Sequence, residues 1–373
     1  MKTKKLSEIS DIQYGYAFDS HYFTNDNKYP QLVRIRDIKR GFSETYYLGK
    51  YDEDYVVHYG DLLIGMDGNF NISRWKSEDA LLNQRVCKIA AKQDIIDEEY
   101  LQYALSRRLK HIEEKTAFVT VKHLSAKTLS NLKLEVPSQV EQIKIAQIIS
   151  KISKAINTKK DELRKLDELI KARFVEMFGD LKFDTSLSFY VNSLVAGKSL
   201  AGKQESPNKV LNTGAVSYDY FRNDSKNLPI DYVPLEKNQI QTSDLLISRM
   251  NTQELVGAVA YVWKAPKHTY LPDRLWKAKL KDNVNPIFIW QALIYPLSKI
   301  QIRRMATGTS GSMKNISKNN FLAVKIPYAK IQKQNEFANF VQQVDKSKFE
   351  NIVYLNKMLL MKILSQLGDV SRD

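Results

Sequence analysis

Along residues 138–178 apolar side chains return in steps of four and three: Ile145, Ile149, Ile152, Ile156, Leu163, Leu166, Ile170 and Met177, with Lys159 and Arg173 standing in the seam. An alternation kept up over this length predicts one long helix of coiled-coil character. Ser138 and Glu141 have capping-box spacing directly after Pro137, and Gly179 is placed to end the helix. At about 1.5 Å per residue the helix would run roughly 60 Å, too long for one wall of a small domain, so it reads as a spacer. An apolar seam needs cover, and the other end of the chain offers it. Phe337, Val341 and Val344 begin a second seam, which Ile352, Leu355, Leu359 and Ile363 continue after a step that reads as a four-residue stutter. Gly368 follows Leu367 as Gly179 follows Phe178. The competing reading is of two ordinary amphipathic helices packed on separate cores.

Between the helices the period shortens. Gln31-Leu32-Val33-Arg34-Ile35-Arg36, Arg85 to Ile89 and Gly257 to Trp263 read as strands, punctuated by Gly, Asn, Asp and Pro, while Glu98 to Lys115 and Pro286 to Met305 read as helices. The order of these pieces repeats. Ile9, Ile12 and Gly15 have counterparts in Val191, Leu194 and Gly197, and Asp61-Leu62-Leu63-Ile64 returns as Asp244-Leu245-Leu246-Ile247. Arg85 answers to Arg274, and Leu101, Ala104 and Leu105 to Ile289, Ala292 and Leu293. Val121-Lys122-His123-Leu124-Ser125 matches Met313-Lys314-Asn315-Ile316-Ser317, and Gln142 and Ala146 match Gln334 and Ala338. The expected fold is therefore α/β (α+β): two pseudo-twofold-related globular domains, 1–137 and 181–327, separated by an antiparallel coiled coil of the helices in 138–180 and 328–373.

A chain of 373 residues, 43% hydrophobic, has the material for two or three cores. The 57 Lys and Arg against 42 Asp and Glu leave a formal charge of +15, which favours a polyanionic partner such as nucleic acid. A single cysteine, Cys87, excludes an intramolecular disulfide and suits a reducing compartment. The N-terminus has no apolar run behind its lysines, and the apolar run Ile287 to Leu297 is short and holds Gln291 and Pro296. We expect neither a secretory leader nor a membrane span, and a cytoplasmic protein.

Catalytic patterns are not found. Gly197-Lys198-Ser199 lacks the glycine five positions upstream that a phosphate-binding loop needs, Asn192 standing there instead. His21, His58, His111, His123 and His268 are scattered, and Pro272-Asp273 has no acid-x-Lys after it. There is no Asp/Asn-Pro-Pro-aromatic tetrapeptide and no Phe-x-Gly-x-Gly. We expect no catalytic residues, no metal ligands and no bound cofactor in this chain.

Polar clusters that suit DNA occur instead in both halves. Arg34 and Arg36, on one face of the expected strand, lead into Lys39, Arg40 and Gly41. The first Asp-Leu-Leu-Ile strand runs into a loop with Asp67, Asn69 and Asn71, and the second into Arg249, Asn251 and Gln253. Arginine can grip guanine with two donors or clamp phosphate, and amides can pair with adenine. A third stretch, with Thr307, Thr309, Ser310, Ser312 and Lys314, aligned with Lys122 in the first half, suits close approach to phosphate. The bland counterparts are a solvated strand face, a turn that bonds its own backbone and an unliganded loop. Tyr46, Tyr47, Trp75 and Trp276 read as packing.

On these pieces, over essentially its whole length, the chain resembles the DNA-specificity subunit of type I restriction-modification systems. The resemblance rests on the duplicated Asp-Leu-Leu-Ile strand, Ser248 to Thr252, Gly308 to Ser317, Pro137 followed by Glu141, Gln142, Ile145 and Ala146, and Met177-Phe178-Gly179. It implies two target recognition domains that each read half of a split double-stranded DNA sequence. It also implies two methyltransferase subunits, which carry the adenine N6 chemistry and S-adenosylmethionine, with restriction subunits in the full complex. S-adenosylmethionine, ATP and magnesium are then expected only in the partners. Two departures stand out. Lys333-Gln334 replaces the Glu-Gln pair, and Gly65 to Gly68 differs from Ser248 to Asn251, so the half-sites should differ. A fused or diverged methyltransferase or nuclease, and a coiled-coil scaffold with incidental charge, are the alternatives.

Overall fold

The apolar run Leu62-Leu63-Ile64 forms a strand buried on both faces, which is why it does not alternate with polar residues. Leu62 and Ile64 enter one hydrophobic cluster with Leu6, Ile9 and Leu101. Leu63 points the other way, into a cluster with Val33, Ile38 and Trp75. Leu245-Leu246-Ile247 behaves identically, Leu245 and Ile247 joining Phe178 and Phe288 while Leu246 joins Leu211 and Val262. In this computed structural model residues 2–68, 70–115, 123–308 and 313–367 are described. The chain divides into two compact units, one of residues 1–159 with 354–373 and the other of residues 160–353.

In the first unit the buried strand Leu62–Gly65 belongs to an antiparallel sheet ordered Ser10–Tyr14, Val86–Ala91, Leu62–Gly65, Ile72–Arg74. In the second unit the order is Val191–Ala196, Leu275–Leu280, Leu245–Ser248, Val259–Tyr261, again antiparallel. Lys88 lies opposite Leu63 and Lys277 opposite Leu246, so even the register repeats. Each unit adds a parallel pair, Gln31–Val33 with Ala80–Leu82 and Lys209–Leu211 with Thr269–Tyr270. Each also closes its beginning on the strand that precedes its long helix, Lys2–Lys5 on Lys133–Val136 and Thr185–Ser186 on Lys325–Ile326. Gly15 and Gly197 pass so close to backbone that an added Cβ would meet the Asn83 carbonyl oxygen at 2.1 Å and that of Leu271 at 1.6 Å. Only glycine fits either crossing.

The long helices span Gln139–Phe178 and Ile331–Leu367. The first starts on the capping box, with Glu141 Oε2 accepting from the Ser138 N–H at 3.0 Å and Ser138 Oγ accepting from the Glu141 N–H at 3.4 Å. The last helical bond runs from the Gly179 N–H to the Val175 carbonyl at 2.7 Å, just past Phe178. The partner cap at Gly368 lies outside the described residues. Every seam position of the first helix is buried or half-buried, and both cations that interrupt it are used. Within the second unit Arg173 pairs with Glu336 at 2.9 Å and lies over the Phe340 ring, while Asp167 pairs with Lys348 at 2.7 Å. Within the first unit Lys159 lies over the Tyr354 ring. The matched numbers rise on one helix as they fall on the other, so the helices pair antiparallel.

Three expectations are corrected. Among the described residues the second seam has no stutter: half-buried Lys348, Asn351, Leu355 and Met358 continue the heptad after Val344, while Ile352 and Leu359 are exposed and Ile363 lies outside the side chains described. Lys348 can occupy the seam because Asp167 meets its charge. Asp345, beside it, has its pKa raised by burial, against the pull of Lys348. The helix expected over Pro286 to Met305 is two, Pro286–Ile294 and Pro296–Met305, because Pro296 forces Tyr295 to an extended ψ of 142°. The strand expected to reach Arg36 stops at Val33. Arg34 caps a helical turn, Ile35–Ile38, in which Asp37 accepts from the Arg34 N–H at 3.1 Å. Among the described residues no helix is long and apolar enough to cross a membrane.

Each long helix is fastened to its unit by a buried glutamine. Gln142 Oε1 accepts from the Asp97 N–H at 2.7 Å, and its Nε2 donates to the Pro137 carbonyl at 3.0 Å. Gln334 Oε1 accepts from the Asn285 N–H at 2.9 Å, and its Nε2 donates to the Ala329 carbonyl at 2.7 Å. Replacing either by leucine strands a half-buried backbone N–H and a buried carbonyl. Gln142→Leu and Gln334→Leu should each lower stability by about 1–3 kcal/mol in urea unfolding of the whole chain. A change under about 0.5 kcal/mol would be that of an ordinary surface site and would refute the clamp.

Candidate nucleic-acid interface

At the end of each buried strand one backbone unit gathers three segments. The Met66 N–H donates to the Arg85 carbonyl at 2.9 Å, and the Met66 carbonyl accepts from the Leu124 N–H at 2.7 Å. In the second unit the Arg249 N–H donates to the Arg274 carbonyl at 3.1 Å, and its carbonyl accepts from the Ile316 N–H at 3.0 Å. The loop after the strand, the turn before its neighbour and the stretch before a short helix thus converge twice by the same bonds. The bridges beside them repeat as well, Asp67 opposite His123 and Met250 opposite Asn315.

A fourth segment closes over this hub. In the first unit Ile35 and Ile38 of the helical turn sit on Gly65, where a Cβ would meet Ile35 Cγ2 at 3.1 Å. In the second unit the Asn251 amide donates to Ser217 Oγ at 3.4 Å, just past the turn Thr213–Val216. The candidate stretches far apart in the chain are therefore neighbours in each unit.

Individual candidates differ in what they offer. Arg34 is half-buried and its guanidinium donates to Thr45 Oγ1, which steadies the turn. Arg36 is exposed, 3.7 Å from Asp37, and Lys39 is exposed. Arg40 pairs with Glu44 at 2.9 Å and lies over Phe42. Asp37, beneath them, is buried, which raises its pKa against the lowering influence of the Ser43 hydroxyl, Arg36 and Arg40. Asp67 is held by Arg85 at 3.1 Å and by His123. The Asn71 carbonyl accepts from the Gly65 N–H at 2.8 Å, and the residue is half-buried. Arg249 lies over the Trp276 ring, 5.8 Å from its centre. Gln253 donates to the Arg303 carbonyl at 3.1 Å. Thr307 and Asn315 exchange two backbone bonds of 2.8 Å, and Lys314 Nζ donates to the Gly308 carbonyl at 2.7 Å. Asn69, Lys122, Thr309, Ser310 and Ser312 lie outside the described residues. Tyr47, Trp75 and Trp276 are buried, as packing residues should be.

Sequence reasoning missed the supports. Lys277 Nζ meets Asp244 at 3.2 Å and the Gln239 carbonyl at 2.8 Å; Lys88 Nζ meets Asp61 at 3.5 Å and the Val56 carbonyl at 3.2 Å. Asp61 and Asp244 also accept from the His58 and Gln241 N–H groups, fixing the turn into each buried strand. A lysine inside an apolar strand at the same offset in both halves is the signal that could have found them. Arg85 and Arg274 were visible as repeat anchors but not as surface groups, and both are exposed beside the hub. Cys87 is no nucleophile: burial pushes its thiol up to about 12. Among the described residues no three His, Cys, Asp or Glu side chains are grouped to hold a metal ion.

The fold and these sites define a duplicated α/β scaffold that carries polar loops at the ends of buried strands and roots one long helix in each unit. Residues 1–168 match the type I restriction modification DNA specificity domain. Over 166 residues the chain is 39% identical to the type I restriction enzyme EcoBI specificity subunit of Escherichia coli, which is 44% of this chain and 35% of that one. Over 127 residues it is 24% identical to the type I restriction enzyme MjaVIII specificity subunit of Methanocaldococcus jannaschii, 34% of this chain and 30% of that one. The matched stretch is thus about a third of the length of each curated relative. The crystal structure of a type I restriction-modification S subunit from M. genitalium shares the fold over 98% of this chain and 95% of its own, with a TM-score of 0.60 at 14% identity. A chain from a structure describing assembly of the type I R-M system gives 0.51 at 16% identity, covering 98% of this chain and 95% of its own. Through residues 1–168 the chain is similar to the type I DNA-specificity family.

The two scaffold lysines should differ in weight. Lys277 is 1% exposed and Lys88 22%, so water can stand in for Lys88 but not for Lys277. Lys277→Met, which leaves Asp244 without its counter-ion, should cost about 3 kcal/mol, and Lys88→Met clearly less, by chemical unfolding.

Proposed function

We propose that this chain is the noncatalytic recognition subunit of a cytoplasmic type I restriction-modification complex. Its two units bind the two halves of a split double-stranded DNA target. Two methyltransferase subunits dock on it and supply S-adenosylmethionine and the adenine N6 chemistry, and restriction subunits join with ATP and magnesium for cleavage. The observation that carries this reading is the hub built twice from the same bonds but edged by different loops, in a chain whose first half matches a specificity domain. Two equal scaffolds with unequal edges suit a target of two unequal halves. The charge of +15 suits the polyanion.

Under this reading the long helices set the gap between the half-sites. One helical turn rises about 5.4 Å and one base pair about 3.4 Å. Adding a turn within residues 155–160, with a matching turn in the second helix, should lengthen the gap by one or two base pairs when methylated adenines are mapped in host DNA. An unchanged gap would remove the ruler from the proposal. Exchanging residues 1–137 for those of another family member should change one half-site and leave the other intact. The rival reading, a diverged methyltransferase or nuclease, predicts turnover by the purified chain alone with DNA, magnesium and S-adenosylmethionine. The recognition reading predicts turnover only after the modification subunits are added.

A further inference from the structure

Beyond the helical turn each unit makes the same sharp reversal. Eight residues after the end of the strand at Val33 stands Gly41, with φ 77°, and eight after Leu211 stands Asp219, with φ 63°. The left-handed backbone suits glycine and is unusual for aspartate. Asp219 is held there by its surroundings. Its Oδ1 accepts from Lys299 Nζ and, at 2.9 Å, from the Val259 N–H, while its carbonyl accepts from Trp290 Nε1 at 3.0 Å. Burial lowers the pKa of Lys299, and the Asp219 carboxylate opposes that shift.

What this anchor holds out is a tip of exposed side chains. Tyr218 and Tyr220 flank Asp219 and are 59% and 47% exposed, with rings stacked 6.5 Å apart. The exposed Arg222 guanidinium lies over both, 4.8 Å from the Tyr218 ring and 4.6 Å from that of Tyr220. Its backbone is pinned by the Arg222 N–H, which donates to the Ala215 carbonyl at 2.8 Å. One guanidinium nitrogen donates to the Tyr220 hydroxyl, and among the described residues no carboxylate pairs with the group. The first unit carries a cation over an aromatic ring at the same place, Arg40 over Phe42, but Glu44 neutralises it at 2.9 Å.

We propose that Arg222, on its tyrosine platform, is a specificity-determining residue of the second unit that reads guanine in the major groove of double-stranded DNA. This rests on the recognition reading above. The two rings and the Tyr220 hydroxyl hold the guanidinium in place while its other donors remain available, as a paired contact with guanine O6 and N7 needs. The tip adjoins the Asn251 loop through Ser217, so both present to one stretch of DNA. Asp219 and Lys299 are positioning residues.

The test uses the full chain in complex with its methyltransferase subunits and a randomised double-stranded DNA library, read by the sequences bound and methylated. Arg222→Ala should relax one G·C position of one half-site, with discrimination there falling about 10- to 100-fold, and leave the other half-site unchanged. Arg222→Lys keeps the charge without the planar fork and should not restore it. Thermal unfolding should be unaltered, because the side chain is exposed. A uniform loss of affinity across sequences with a shallower salt dependence would make Arg222 a phosphate clamp and overturn the proposal, as would an unchanged motif. If the unsubstituted complex selects no sequence, the recognition reading itself fails; if it selects one and Arg222→Ala selects the same one, only the present inference does.

Discussion

A buried amide at the root of each long helix is the constraint on which the architecture turns. A helix of about 40 residues whose seam is only partly apolar has little to fix its direction at the point where it leaves a globular unit. Gln142 and Gln334 supply that direction, since an amide with its oxygen bound to one backbone N–H and its nitrogen to another carbonyl has a single orientation. The partners matter as much as the amide. Asp97 and Asn285 each stand just ahead of the helix that packs against the sheet, so one side chain aligns long helix, short helix and sheet together. Apolar packing alone would tolerate rotation that these bonds do not.

The same economy governs the sheets. A strand buried on both faces cannot present polar groups along its length, so they gather where it ends. Met66 and Arg249 hold the converging segments through main-chain bonds, which leaves side chains around them free to differ. The scaffold lysines, Lys88 and Lys277, neutralise the carboxylates that turn the chain into those strands. Structure and variation are thereby separated: backbone and buried charge make the hub, and exposed loop residues decide what it meets.

The seam between the helices shows why polar residues can stand on an apolar stripe. Arg173, Lys159 and Lys348 would each be a flaw in a strictly apolar coiled coil. Each instead meets an acid or a ring on the opposing helix, and Lys348 keeps the heptad in step where a stutter was expected. Charge pairs of this kind add little stability where water reaches them, but they restrict which registers are tolerable.

Sequence by itself determined the duplication, the two long helices and the strands at their centre, because these rest on periodicity and on short identical runs that local rules can read. Glu98–Lys115 and the Ser138 capping box were legible to the residue for that reason. Tertiary structure decided what periodicity cannot carry. Arg34 reads as a strand residue until Asp37 captures its N–H and Thr45 its guanidinium. Lys348 reads as a break until Asp167 is opposite it, and Asp219 reads as a loop aspartate until Lys299, 80 residues away, holds it in a left-handed turn. For Lys348 and Asp219 a partner distant in the chain sets the outcome, and for Arg34 side chains brought round by a turn do; spacing along one segment holds no information about the energy of such contacts.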